Sequence, residues 1–172
     1  SEEYIVGFVQ TLEGKFLNGF DVGITYTHRS LASTIEDVAI DAAVLNYCSA
    51  NGLTATDGSD CADVWTGFHQ YVLTNPGTDM NVYLPELEQT VTLSAAALNY
   101  PMVDRTYDAW VLQIEKPFDG DWGFKASYTW SQTKGNYEGT VKSDNGQDDA
   151  GITQDFDQPG LTDGSYGYLP NH

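Results

Sequence analysis

From Trp122 to Trp130 every second residue is apolar or aromatic, namely Trp122, Phe124, Ala126, Tyr128 and Trp130. The residues between them are Gly123, Lys125, Ser127, Thr129, Ser131 and Thr133, all small or polar. A side-chain period of two belongs to an extended strand, so this stretch is a ribbon with one oily face and one polar face. The chain must bring the oily face against either a protein core or lipid, and alternation alone does not choose between them, because soluble sandwiches alternate too.

The same pattern recurs near the start of the chain. Phe20, Val22, Ile24 and Tyr26 alternate with Asp21, Gly23, Thr25, Thr27 and Arg29. Each two-faced run has a strand-like partner joined by a short connection. "EEYIVGFVQTLE" leads through "GKFLN" into the first run, and "RTYDAWVLQIEKPF" leads through "DGDW" into the second. Asp119-Gly120 is a strong turn signal. The sequence therefore predicts two antiparallel hairpins, over residues 1–35 and 105–140.

Charge sets these hairpins apart from the segment that succeeds each one. The chain carries 25 Asp and Glu against 7 Lys and Arg, a formal net charge of -18. Residues 36–104 hold ten acids and no Lys or Arg, and residues 141–172 hold six Asp against Lys142 alone. So acidic a chain is unsuited to nucleic acid, whose phosphates require cationic partners. It favours divalent cations or basic partners instead.

Within 36–104 the period changes. Ile35, Val38, Ala39, Ala42 and Leu45 fit a helical stripe, with Ser33 or Thr34 as its cap and Asn51-Gly52 as its end. Asn75-Pro76-Gly77 predicts the turn of a small hairpin, followed by a strand "QTVTL". Residues 141–172 are rich in Gly, Asp and Pro and read as a loop. Cys48 and Cys61 are expected to form a disulfide, since no further Cys or His completes a metal set. The bond implies an oxidising compartment, and closing so short a loop stabilises by roughly 3 kcal/mol on the chain-entropy argument.

Three features favour lipid. The connections are tight at one end of the hairpins and long and acidic at the other, as in transmembrane barrels. Trp122 and Tyr128/Trp130 bracket an oily run of about 26 Å, or about 20 Å of depth at a barrel strand's tilt. The strands continue in polar residues past this band, through Lys134 and Glu138. No apolar run reaches the roughly 18 to 20 residues of a membrane helix, and Ser1-Glu2-Glu3 is acidic where a signal peptide is basic. Four strands do not close a barrel, which takes roughly eight or more, so the lipid reading makes this part of a longer chain. Arg29, Lys125 and Lys134 are then expected in the lumen, paired with acids of the missing strands.

Catalytic patterns are not visible. His28, His69 and His172 are scattered and no G-x-S-x-G elbow occurs, so the chain is expected to be a non-enzyme without an organic cofactor. Asp144, Asn145, Asp148, Asp149, Asp155 and Asp157 form a weak Ca2+ candidate, hard oxygen ligands on a Gly-rich loop, but their spacing misses the EF-hand pattern. Trp65, Phe68, Tyr71, Tyr166 and Tyr168 fall in loop segments, where they either present a ligand-binding surface or pack the loops on themselves.

The segments "VGITYTHRSL", "IEDVAIDAAVLNYC", "VWTGFHQYVLTNPG", "RTYDAWVLQIEKPFDGDWGFKASYTWSQTKGNYEG" and "KSDNGQDDAGITQDFDQPGLTDGSYGYLPNH" resemble the barrel of an Oar-like TonB-dependent outer-membrane receptor, most specifically from Arg105 onward. In that family a plug precedes a barrel of about 22 strands. The resemblance implies an all-β fold made of antiparallel hairpins of a transmembrane barrel, with a short helix in a long extracellular loop. It divides the chain into barrel hairpin 1 (1–35), a long acidic extracellular loop with short helix and small hairpin (36–104), barrel hairpin 2 (105–140) and an acidic Gly/Asp-rich extracellular loop (141–172). Phe20, Val22, Ile24, Tyr26, Trp122, Phe124, Ala126, Tyr128 and Trp130 would face lipid. It further implies a bacterial outer-membrane location, ligand uptake or export, and outer-membrane lipid with the rest of the barrel and plug as partners. TonB would engage only the N-terminal part, whose plug and TonB-box features this sequence lacks. The rival readings are a secreted soluble Ca2+- or carbohydrate-binding β module and a surface adhesin.

Overall fold

A computed structural model of the chain describes residues 1–60, 70–142, 146, 148–160 and 166–169. The described fold is mainly antiparallel β-structure, as the sequence predicts, and it separates into two compact units.

The first unit comprises Ser1–Leu31, Arg105–Gly135 and the chain from Gly167 on. Strands β1 (Glu2–Leu12) and β2 (Phe20–Leu31) form one hairpin. Next in the chain come short strands of the second unit, β3 (Glu36–Ala39), β4 (Tyr71–Thr74), β5 (Met80–Leu84) and β6 (Gln89–Leu93). Strands β7 (Arg105–Lys116) and β8 (Phe124–Gly135) make the second hairpin, and β9 (Gly167–Leu169) completes the first unit. Its sheet has the order β1-β2-β7-β8-β9. The runs are rich in Val, Ile, Thr, Tyr and Trp, side chains that suit a pleated surface. Both tight connections, 13–19 and 117–123, lie at one end of the sheet, and the excursions 32–104 and 136–166 leave from the other. Strand β8 stops at Gly135, short of Glu138. Gly167–Leu169, read from sequence as loop, is the strand β9 that pairs with Thr133–Gly135.

The second unit comprises Ala32–Asp104 and Asn136–Tyr166, so the two excursions share one fold. Its core contains Val38, Ile40, Val44, Cys48, Leu84, Leu93, Leu98, Tyr100, Tyr137 and Phe156. The Phe156 ring meets Tyr100 edge-on at 5.9 Å and Tyr137 at 6.4 Å. Burial raises both phenols' pKa values, and each hydroxyl is satisfied inside: Tyr100 donates to the Ala39 carbonyl (3.1 Å) and Tyr137 to Glu36 (2.6 Å).

Two local elements differ from the sequence expectation. The helix α1 spans Asp41–Asn51 and does not start at Ser33 or Thr34. Residues 36–39 instead pair with β4, and the buried helical positions are Ala43, Val44 and Cys48, with Ala42 exposed. The expected end is right: Gly52 closes α1 in the left-handed conformation (φ 58°). The second correction concerns Asn75-Pro76-Gly77, which is not a hairpin turn. It carries the chain from β4, paired with β3, to β5, paired with β6. A side chain on Gly77 (φ 75°) would stand 2.5 Å from the Met102 backbone nitrogen, so the glycine is needed for a close crossing of two backbone segments. The hairpin of this region is β5–β6, and "QTVTL" is β6 as expected. A short helix α2 (Ala95–Leu98), capped by Ser94 Oγ accepting from the Ala97 amide at 3.2 Å, comes after it.

Candidate functional site

Side chains opposite one another on antiparallel strands share a face, so the register of the first unit assembles its surfaces row by row. One row holds Val6, Tyr26, Trp110 and Trp130; the next Phe8, Ile24, Leu112 and Tyr128; the next Gln10, Val22, Ile114 and Ala126. Leu12 with Phe20, and Lys116 with Phe124, end the band on the tight-turn side. Rings concentrate at its two borders. Tyr26 and Trp110 lie 4.8 Å apart at one, and Phe20 meets Trp122 edge-on at 6.0 Å at the other. Phe8 (62%) and Tyr128 (66%) are largely exposed, and Ile24, Trp110, Leu112, Phe124 and Trp130 are exposed as well. A folded sheet that leaves this much contiguous apolar surface bare marks a contact surface.

Eight of the nine wall residues nominated from sequence lie on this face, and the ninth, Trp122, precedes β8 and stacks at its border. Sequence reasoning missed Val6, Phe8, Trp110, Leu112 and Ile114. For the last three the signal was available, since Trp110, Leu112 and Ile114 already alternate.

Beyond the aromatic row toward the excursions, the same face turns polar. Tyr26 Oη donates to Asp108 Oδ1 at 2.5 Å, His28 Nδ1 stands 2.8 Å from the same oxygen, and Tyr4 stacks on His28 at 6.4 Å. At the opposite end Lys116, buried at the close of β7, donates to the Asp119 carboxylate and to the Trp122 carbonyl (3.2 Å). Its Nζ lies 4.4 Å from the Trp122 ring centroid. The Lys116 hydrogen bond, helped by the backbone amides of Asp121 and Trp122, lowers the Asp119 pKa to about 2.

The reverse face carries Gly7, Thr25, Thr27, Gln113, Ser127, Thr129 and Ser131, with Ile5, Val9, Ala109 and Val111 as its apolar members. Arg29 and Lys125 on this face find acids on neighbouring strands of the same sheet, Glu3 and Glu115 respectively (2.8 Å for the latter pair), which corrects the expectation that they wait for absent strands. Lys134 is not on this face at all. Four residues after Trp130, it shares the side of the aromatic row, opposite Thr106 and Tyr168, with its Nζ 5.2 Å from the Tyr168 ring.

The remaining nominated residues are dispersed. Cys48 is buried in α1, while Cys61, Trp65, Phe68, His69, Asp144, Asn145 and His172 lie outside the described residues. Asp148 and Asp149 are exposed, and Asp155 is ion-paired with Lys142. Among the described residues no three His, Cys, Asp or Glu side chains converge as a metal site. Among them too, no helix is long and apolar enough to cross a membrane, which leaves crossing by strands untouched.

Fold and surface together define a class: an antiparallel β-protein whose main sheet has one oily, aromatic-bordered face and one polar face, with its long connections at one end. Within that class the chain is similar to the TonB-dependent transporter Oar of Myxococcus xanthus, 29% identical over 170 residues. The match covers 99% of this chain and 12% of the transporter, so the chain spans about an eighth of that relative's length and is its partial, distant homologue. No family model and no solved structure matches the chain.

Proposed function

We propose that the chain forms part of the barrel wall, with its surface loops, of a TonB-dependent transporter in a bacterial outer membrane. The observation that carries this reading is the contiguous apolar field on one face of the β1-β2-β7-β8 sheet, bordered by Tyr26, Trp110 and Trp130 on one side and by Phe20, Trp122 and Phe124 on the other. From Phe124 to Trp130 the band runs about 20 Å along the strand, about 15 Å of depth at a barrel strand's tilt, and the Phe20 and Trp122 rings at its border extend it toward the roughly 25 Å of an outer-membrane barrel's apolar band. The similarity to Oar supports the transporter class.

On this reading acyl chains cover the apolar face and the polar face lines the lumen. The tight turns point to the periplasm, and the excursions lie outside the cell, braced by a Cys48–Cys61 disulfide. Further strands and a plug belong to the parent protein, as does contact with TonB, and the parent moves its ligand in or out without chemical conversion. Fluorescence in bilayers tests the wall. In a Trp65→Phe variant, lipids brominated along their acyl chains are expected to quench Trp110, Trp122 and Trp130. Absence of quenching, with the protein monodisperse and cooperatively folded in plain buffer, would replace this reading with a soluble β module.

A further inference from the structure

The chain has only two arginines, and both line one cavity. It has a volume of about 360 Å³ and lies at the excursion end of the sheet's polar face, where Arg29, Leu31, Arg105, Tyr107 and Thr133 converge. Register places them together: Leu31 stands opposite Arg105, Arg29 opposite Tyr107, and Tyr107 opposite Thr133. The Arg29 guanidinium lies 5.9 Å from the centroid of the Tyr107 ring and pairs through Nε with Glu3. Both members of that pair are well exposed, so water competes with the bond and an incoming anion can displace or share it.

We propose that this cavity binds a ligand through a single carboxylate, held by Arg29 and Arg105 above the Tyr107 ring. A guanidinium presents a planar fork that matches a carboxylate bidentately, and two of them on adjacent strands can grip one group from two sides. Glu3 beside Arg29 sets the charge: two guanidiniums and one carboxylate leave a single positive charge, which a monoanion neutralises and a dianionic phosphate exceeds. A net charge of -18 repels any ligand that is anionic overall. The fitting ligand is therefore zwitterionic or cationic with one carboxylate, as at the C-terminus of a peptide.

The inference uses only the sheet's polar face and stands whether or not the other face meets lipid. The test uses the intact protein in detergent and calorimetric titration with the tripeptide Ala-Ala-Lys, as free acid and as C-terminal amide. General attraction to an acidic protein favours the amide, which carries more positive charge. The cavity favours the acid, which is expected to bind at least tenfold more tightly. Arg29→Lys and Arg105→Lys keep the charge but lose the fork, and each is expected to weaken the acid at least fivefold. Inorganic phosphate at equal concentration is expected not to displace it. Equal or tighter binding of the amide to the unaltered protein, unchanged affinity in both variants, or displacement by phosphate would each overturn the assignment.

Discussion

Tyr137 donates a hydrogen bond of 2.6 Å to the side chain of Glu36, which is fully buried and lies 101 residues earlier in the chain. The other Glu36 oxygen accepts from the Thr153 amide at 3.0 Å and from its hydroxyl at 3.2 Å. Glu36 belongs to the first excursion and both partners to the second, so one carboxylate ties the two into a single unit. A buried acceptor that loses a donor retains its desolvation cost. Tyr137→Phe is therefore expected to destabilise this unit by about 1–3 kcal/mol, read as a lower denaturant midpoint and faster proteolysis between 136 and 160. Glu36→Gln should reduce the effect of adding Tyr137→Phe, which a double-mutant cycle measures.

Asp37, next along β3, works against the same unit. Its Oδ1 is buried without a hydrogen-bond partner, and its pKa is raised, first by burial and then by Asp157 and Glu36. A carboxyl whose folded pKa exceeds its unfolded one contributes stability that is fully present below the unfolded value, about 3.9, and is lost as pH rises through the folded value. The unit is thus expected to weaken as pH climbs from about 4 toward neutrality. Asp37→Asn should raise its melting temperature at pH 7 and flatten that slope. A variant that melts lower at pH 7 with an unchanged slope would show Asp37 to be harmless.

Both hairpins are legible in sequence because period two and a short turn are local properties. The first strand is harder to phase: Ile5 and Val9 on one face are as apolar as Val6 and Phe8 on the other, so only its partner β2 fixes which side joins the band. Residues 36–39 satisfy a helical stripe locally, yet β4 draws them into a strand from more than 30 residues away, a partner that no local pattern announces. Asn75-Pro76-Gly77 has hairpin chemistry, but its glycine answers the backbone at Met102, again a distant segment. Polarity suggests the lumen for Lys134, whereas counting from Trp130 puts it with the aromatics, and the count prevails because the pleat, not the charge, sets the direction. The cavity of Arg29 and Arg105 depends on pairing β2 with β7 across the whole first excursion, which the sequence does not specify.

The tight turn 117–123 is organised by Asp119, whose Oδ1 accepts from the amides of Asp121 (3.2 Å) and Trp122 (3.3 Å) while Oδ2 holds Lys116. Its pKa, lowered from 3.8 to about 2, means that its contribution is complete above about pH 4 and lost as pH falls through about 2. Amide exchange is expected to show Asp121 and Trp122 protected down to about pH 3. In Asp119→Asn, with Lys116 deprived of its counter-ion, both amides should exchange faster at neutral pH while the β1–β2 turn is unaffected. Unchanged protection would mean that the backbone alone holds the turn.

The strongest test of the two-faced wall exploits its parity. Leu112 on β7 stands opposite Tyr128, in the middle of the apolar band, whereas Thr129 is one residue further along β8 and belongs to the polar face. The two positions are close in space and differ in what they are proposed to touch. A lysine on the lipid face near the bilayer midplane costs about 2–4 kcal/mol, while the lumen side tolerates charge. Leu112→Lys is therefore expected to impair assembly of the intact protein in the outer membrane, seen as loss of its heat-modifiable folded band, and Thr129→Lys to leave that band intact. Were this face instead the inner layer of a water-soluble sandwich, Leu112→Lys would still be harmful but would act equally in lipid-free buffer. The reading thus requires the defect to appear in bilayers and to ease when the strand ends, not the centre, carry the charge: lysine in place of Phe124, at the tight-turn border, should cost less than at Leu112 because it reaches the interface.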